Sequence, residues 1–415
     1  MKKLTAILLA TLMLVSVFAS CGGNDETTTT EIPTTEAPTT ETPTTEAPTT
    51  ETPTTEAPTT EIPTTKPVGE YNIKYELNGG TNNENNPSSY NTGDTITLSF
   101  PTKEDYMFMG WYTDSANEIK EIADKTGDLT LYAKWLPVED AIKLRLYDGK
   151  YVVDGLKNIA KTVIIPSSYK GLQVQINKYH VFMSDIVEEI VFTTELSISF
   201  FCSFRTCPSL KRITVEEDNP YMKSIDGVLY SKDGKELICY PAAKEGKSYV
   251  IQNGTENVRA SAFYSNKYIE NIVVPDSVIS IGQGVFEECT SLKDVELSKN
   301  IELIDNATFN NCTSLKKITI PGNVKTIKVM AFMNCSSLET VIIPNSVTTI
   351  ERAFDLCSSL NGIVIPESVT TIDHSAFYDC PNLTIYCKVT SKPDGWNNSW
   401  SNGAKEVIWG YKAEE

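Results

Sequence analysis

The chain has 415 residues, a formal net charge of −18 and only 2 histidines. The length allows about two to four folded units. So acidic a chain argues against a nucleic-acid partner, because a phosphate backbone demands a basic face. It argues equally against charge-driven binding to an anionic membrane.

The N-terminus reads as a targeting segment. Lys2 and Lys3 precede an apolar run from Leu4 to Ala19, which is short for a spanning helix. Residues 1–20 are therefore expected to be a signal peptide. Its end, FASC at Phe18 to Cys21, resembles the lipobox of bacterial lipoproteins. Ala19, Ser20 and Cys21 fit that pattern, whereas Phe18 departs from the usual aliphatic residue. The resemblance implies that Cys21 carries lipid and becomes the new N-terminus. Two acyl chains anchor stably, at about 0.8 kcal/mol per buried CH₂. The protein is then expected at the bacterial cell surface, extracellular, touching membrane through lipid alone. An ordinary secretory signal cleaved nearby, or an uncleaved anchor, also fits the residues.

Residues 21–69 are expected to be a disordered stalk. From Asn24 to Pro67 the units EAPTT and ETPTT repeat, with Glu31, Glu36, Glu41, Glu46, Glu51, Glu56 and Glu61 at a fixed five-residue spacing. No aromatic residue occurs there to collapse into a core. Regular proline favours extended polyproline II, and like charges extend it further. The dense threonines are candidate O-glycosylation sites, which the sequence leaves open.

The next unit spans residues 70–137. YNIKYEL alternates like a half-buried strand, Asn78-Gly79-Gly80 marks a turn, and DTITLSF is a second strand. These segments, with GWY at Gly110 to Tyr112 and LYAKW at Leu131 to Trp135, resemble the Listeria–Bacteroides repeat. That resemblance implies a small β-grasp-like module acting as a spacer or protein contact. Trp111 and Trp135 read first as core packing.

From residue 138 onward a period controls the sequence. Phe263, Phe286, Phe309, Phe332, Phe354 and Phe377 are separated by 23, 23, 23, 22 and 23 residues. A fixed period of this length means stacked units that bury their apolar faces against one another. ETVIIP reads as a short strand, so stacking builds a parallel sheet. Pro275, Pro321, Pro344 and Pro366 end their strands, with Ser298 the exception. SVTTI forms the opposite wall, and the A-F segment is expected to form a short helical turn. The missing residue of the 22-residue unit falls in a turn, within NSVTTIERAF. The pattern A-F-x-x-C-x-x-L-x-x-[VI]-x-[IVL]-P resembles the BspA-type leucine-rich repeat of bacterial surface proteins. The expected fold is thus a leucine-rich repeat solenoid, β-rich α/β with parallel strands and repeats of about 23 residues, over residues 138–388. A hairpin insertion centred on Asp233-Gly234 is expected at about 216–255. Residues 389–415, with Trp396, Trp400 and Trp409, read as a terminal cap.

Cys289, Cys312, Cys335, Cys357 and Cys380 recur at one point of the repeat and form a ladder. In-register side chains stand about 4.8 Å apart, too far at the β-carbons for a disulfide. A single file offers no tetrahedron for zinc. Catalysis would need a base, and His180 and His374 are the only histidines. Packing of small apolar groups remains.

No catalytic motif, metal site or cofactor site is expected. Solenoids bind through the strand face, on side chains pointing away from the core. The outward candidates are Thr214, Val273, Asp294, Glu296, Lys317, Thr319, Thr340, Ile342 and Val364. A partly apolar outward stripe fits a protein-contact patch; a strand surface without a ligand fits the same residues. The resemblance implies an adhesin whose partner is host matrix protein, a host cell or another bacterium. A carbohydrate-binding protein that captures polymers at the cell surface is the alternative, and glycan is then the partner.

Overall fold

The computed structural model describes residues 69–114, 117–176, 182–193 and 204–412. The signal segment with Cys21, the stalk up to residue 68, His180 and Cys202 lie outside the described residues. The N-terminal module contains β1 (Glu70–Glu76), β2 (Ser89–Asn91), β3 (Ile96–Thr97), β4 (Tyr106–Tyr112), β5 (Glu118–Ile119), β6 (Glu121–Ile122) and β7 (Leu129–Pro137). Five strands form a sheet in the order β2-β1-β7-β4-β5, with β1 parallel and β4 antiparallel to β7. The turn after β1 places Asn78 and Gly79 at positive φ, where asparagine and glycine are least penalised. Gly80 has a steric reason of its own: a Cβ there would lie 2.4 Å from the Trp135 ring. Trp111 is buried and donates Nε1–H to the Ser99 carbonyl at 3.2 Å. Trp135 is half-buried and donates to Leu77 O at 2.8 Å.

A single turn of helix, α1 (Val138–Ala141), leads into the hairpin of β8 (Ile142–Tyr147) and β9 (Lys150–Leu156). Then come β10 (Thr162–Ile165), β11 (Ser168–Tyr169), β12 (Leu172–Gln175), β13 (Glu189–Phe192) and β14 (Arg212–Val215). Strands β10, β13 and β14 form a parallel sheet in register, Ile164↔Val191↔Thr214. One apolar core runs from the module through this sheet, joining Phe108 and Trp111 to Val163, Ile190 and Ile213. At the seam the Ile164 amide points at Met107 Sδ, 3.2 Å away, and the Lys170 amide donates to Asp105 Oδ1 at 2.6 Å.

Two hairpins follow β14. Met222–Ile225 pairs with Val228–Ser231 across Asp226-Gly227, at φ of 49° and 73°. Two successive left-handed residues make a type I′ turn, the tight connection that twisted strands favour. Val228–Ser231 then pairs with Glu236–Cys239 around Asp233-Gly234. Both turns are Asp-Gly, and the first adds a hairpin to the one expected at Asp233-Gly234.

The regular repeats build two walls. One carries the strands Lys317–Thr319, Thr340–Ile342, Gly362–Ile365 and Thr384–Cys387, all parallel. The other carries Leu303–Ile304, Thr326–Ile327, Thr349–Ile350 and Thr371–Ile372. Between them the phenylalanines stack, with centroids 5.3 Å apart for Phe309–Phe332 and 5.1 Å for Phe332–Phe354. Their planes are nearly parallel, at 7° and 6°.

The A-F segment is not helical. It closes in tight i→i+3 turns, such as Cys312 N–H to Phe309 O at 3.1 Å. The reason is local: Ala307 and Asn311 flank Phe309 with φ of 54° and 61°, and left-handed residues interrupt a right-handed helix. The same pair recurs as Met330 and Asn334 around Phe332. The shortened unit keeps only the second, Leu356 at 61°. The deletion removed the first left-handed residue, so the wall strands keep their register.

At the C-terminal end Trp400 meets Phe377 edge-on at 6.0 Å, and Trp396 donates to Val369 O at 3.0 Å. Glu406–Trp409 adds a last parallel strand to Thr384–Cys387.

Candidate functional site

The cysteine ladder is buried and its thiols are free. Each Sγ–H points back to the phenylalanine carbonyl of the preceding turn: Cys312 to Phe286 O, Cys335 to Phe309 O and Cys357 to Phe332 O, each at 3.1 Å. Cys289 reaches Phe263 O at 3.1 Å and Cys380 reaches Phe354 O at 3.0 Å. The same Phe309 carbonyl also accepts the Cys312 amide at 3.1 Å. Both of its lone pairs are thus used, one within the turn and one between turns. Packing alone does not explain this position. In the unit of Phe263 the equivalent residue is Asn266, fully buried, whose Nδ2 donates back to Pro241 O and Lys244 O at 3.0 and 3.1 Å. The site needs a small buried donor aimed at the previous turn. Burial pushes the Cys289 and Cys380 thiols up to about 12 and raises Cys312, Cys335 and Cys357 as well. A group held as a neutral thiol is neither nucleophile nor metal ligand.

The outward stripe is built by alternation. In Lys317–Thr319 the middle residue Ile318 is buried and its neighbours are exposed, and Asp294–Glu296 repeats this around Val295. Register aligns Val273 with Glu296, Lys317 with Thr340, and Thr319 with Ile342. Asp294 lies beside Asn271, and Val364 beside Tyr386, which in turn lies beside Ile408. Ile342 is 56% exposed. Thr214 stands apart from the other eight. The hairpins intervene, and the Ile213 amide on its strand donates to Gly227 O at 2.9 Å. Thr214 also uses its hydroxyl locally, donating to Glu189 Oε1 at 2.7 Å.

Thr214 belongs to a feature that the repeat pattern did not reveal. The module overhangs the first strands and encloses a cleft of about 880 Å³. Its solenoid wall includes Thr162, Ile164, Glu189, Arg212 and Thr214, and its module wall includes Phe100, Phe108, Met109, Glu118 and Lys120. Outward positions exposed elsewhere are covered here: Ile164 is 8% exposed, Glu189 9% and Val191 0%. Glu189 is held by Thr214 and by Arg212 Nε at 3.3 Å. No sequence signal marks the covering: TVII in β10 recurs at residues 340–343, where Ile342 is exposed, and EIVF in β13 opens on the charged Glu189. Among the described residues no group of three or more His, Cys, Asp and Glu could hold a metal ion.

Stacked parallel turns, an in-register outward face and aromatic ends define a leucine-rich repeat solenoid with an N-terminal β module. Residues 256–384 match the BspA type leucine rich repeat region in six copies, and residues 71–134 match the Listeria-Bacteroides repeat domain. The chain therefore carries a BspA-type repeat region and one Listeria–Bacteroides repeat. No curated protein matches it. Among solved structures, a leucine-rich repeat protein from Bacteroides ovatus is 26% identical, with 65% of this chain and 70% of that one covered and a TM-score of 0.46. One from Eubacterium ventriosum is 21% identical over 58% and 81%, with a TM-score of 0.43. A leucine rich cell surface protein from Faecalibacterium prausnitzii is 31% identical over 49% and 59%, with a TM-score of 0.41.

Proposed function

We propose that the chain is a non-enzymatic bacterial surface protein that binds another protein through the exposed strand face of its solenoid. Lipid on Cys21 would hold it at the membrane, and the stalk would carry the solenoid outward. The observation that supports the reading most is the stripe itself. Val273 pairs with Glu296 in one parallel sheet, and Thr319 pairs with Ile342 in the next, which also carries Val364, without helix or loop over Ile342. Mixed apolar and polar groups on a regular, preformed face suit a protein contact. The test is binding of the chain to an array of matrix proteins and glycans, beside a Glu296→Lys, Thr319→Lys, Ile342→Lys variant. Saturable binding to a protein, lost in the variant, is expected. Binding that survives the three changes refutes the strand-face reading.

A glycan partner is the second reading, and one observation favours it. Tyr386 lies outward next to Val364, and its ring sits 4.8 Å from that of Tyr411. Such a pair, its rings tilted by 53°, offers aromatic surface at the C-terminal end. Glycan binding abolished by Tyr386→Ala would move the function to polymer capture.

A further inference from the structure

The cleft under the module differs in character from the stripe. Its floor is apolar, with Phe100, Met109 and Ile119 half-buried and Ile164 beneath. Its rim is acidic: six carboxylates line it against two cations, Lys120 and Arg212. Arg212 is already engaged with Glu189. Glu84, Glu118, Glu217 and Asp218 are exposed, and none of them forms an ion pair among the described residues. Neighbouring carboxylates in a concave wall make the local potential negative and concentrate cations there.

The backbone at this wall is irregular. Strand β4 pairs with β5 only at Trp111 and Tyr112, and its pairing with β7 shifts register between Phe108 and Trp111. Met109 and Gly110, both in the cleft wall, fall in that irregularity, and Gly110 has a φ of 121°. The bulge blunts regular ladder pairing there, so the wall offers side chains and a concave surface to an extended segment. The volume is in the range of a preformed ligand pocket. An anion meets the wrong charge.

We propose that this cleft receives an extended, lysine- or arginine-bearing segment of a partner polypeptide, its apolar side chains on the floor and its cations against Glu84, Glu118, Glu217 and Asp218. The proposal rests on the protein-binding reading above and gives it a second contact, remote from the stripe. Neither repeat contains this site alone; it arises because the module and β10, β13 and β14 share one core.

The test uses the full-length chain and fluorescent peptides of about ten residues, alternating lysine–valine or glutamate–valine, long enough to cross the cleft at about 3.3 Å per residue. The Glu217→Lys, Asp218→Lys variant is compared with Glu302→Lys, Glu367→Lys, which makes the same charge change at exposed sites outside the cleft. The lysine–valine peptide is expected to bind the wild type, about tenfold more weakly to the cleft variant, and within roughly twofold of wild type to the control. The glutamate–valine peptide is expected not to bind. Equal weakening in the two variants means diffuse attraction to an acidic chain and overturns the proposal, as does absence of lysine–valine binding. If a partner protein binds through the stripe and ignores the cleft variant, the cleft fails while the strand-face reading stands.

Discussion

Raising the pH should unfold this protein through its cysteines. The perturbation is alkaline titration from pH 7.5 to 10.5 in reductant, on the wild type and on a Cys312→Ala, Cys335→Ala variant. Both thiols are fully buried and their pKa values are raised by burial. In the unfolded chain a thiol titrates near 8.5. The sign follows. A folded pKa above the unfolded one leaves stability intact below the unfolded value and removes it as pH rises toward the folded value. Above about pH 9.5 each such thiol removes about 1.4 kcal/mol per pH unit. The five ladder thiols together give a slope near 7 kcal/mol per pH unit, and a typical domain holds only about 5–15 kcal/mol. The double variant lacks two of the five, so its slope should be shallower by about 2.7 kcal/mol per pH unit. Its stability at pH 7.5 should fall by about 1 kcal/mol per site, because Phe309 O keeps its bond from the residue-312 amide. The assay is urea unfolding followed by circular dichroism at each pH. Parallel profiles for wild type and variant would refute the reasoning, since the ladder thiols would then ionise in the folded state.

Other outcomes follow from the same geometry. Phe332→Ala should cost about 3–5 kcal/mol, and Phe332→Leu about 1–3 kcal/mol, because leucine fills the space but loses two stacked rings; urea unfolding separates them, and a neutral leucine would mean the stacking contributes nothing. Leu356→Asn should raise stability by about 1 kcal/mol by relieving a left-handed leucine, checked by thermal melting, with a lowered melting temperature counting against it. Iodoacetamide at pH 8 should leave Cys289 and Cys380 unlabelled in the native protein and label both in urea, read by mass spectrometry. A fragment beginning at residue 138 loses the β4 surface that packs on β10, so it should melt lower or aggregate; an unchanged melting curve would show that the module contributes nothing to the solenoid.

The regular turns were readable because one turn repeats the same instruction. Phenylalanine, cysteine, leucine and the alternating strand each recur at fixed offsets, and Ile318 and Ile327 lie on the walls that this pattern assigned them. The turn at the phenylalanine was not readable from periodicity, because Ala307, Met330 and Leu356 take left-handed φ although their residue types do not signal it. The cysteine's donor role was hidden for a related reason: its acceptor lies 26 residues earlier in sequence for Cys312. The cleft was illegible because its two walls come from separate segments, within residues 82–120 and 162–218. No local trace betrays it, because TVII reads the same at residues 162–165 under the module and at residues 340–343 on the open face.

The forward and backward bonds at the phenylalanine arc have a consequence for how such a chain can change length. Phe309 donates its amide to Ala331 O in the next turn, while Cys335 returns a thiol bond to Phe309 O. Each turn from Phe286 to Phe354 therefore presents the same sockets above and below. A duplicated turn finds matching partners wherever it is inserted, and a lost turn leaves matching partners behind. The C-terminal end differs: Ser399 supplies the carbonyl that Ser375 needs, and Trp400 closes the ring stack. Gene duplication can thus lengthen or shorten the reach of the face by about 4.8 Å per turn without redesigning any contact between the two caps.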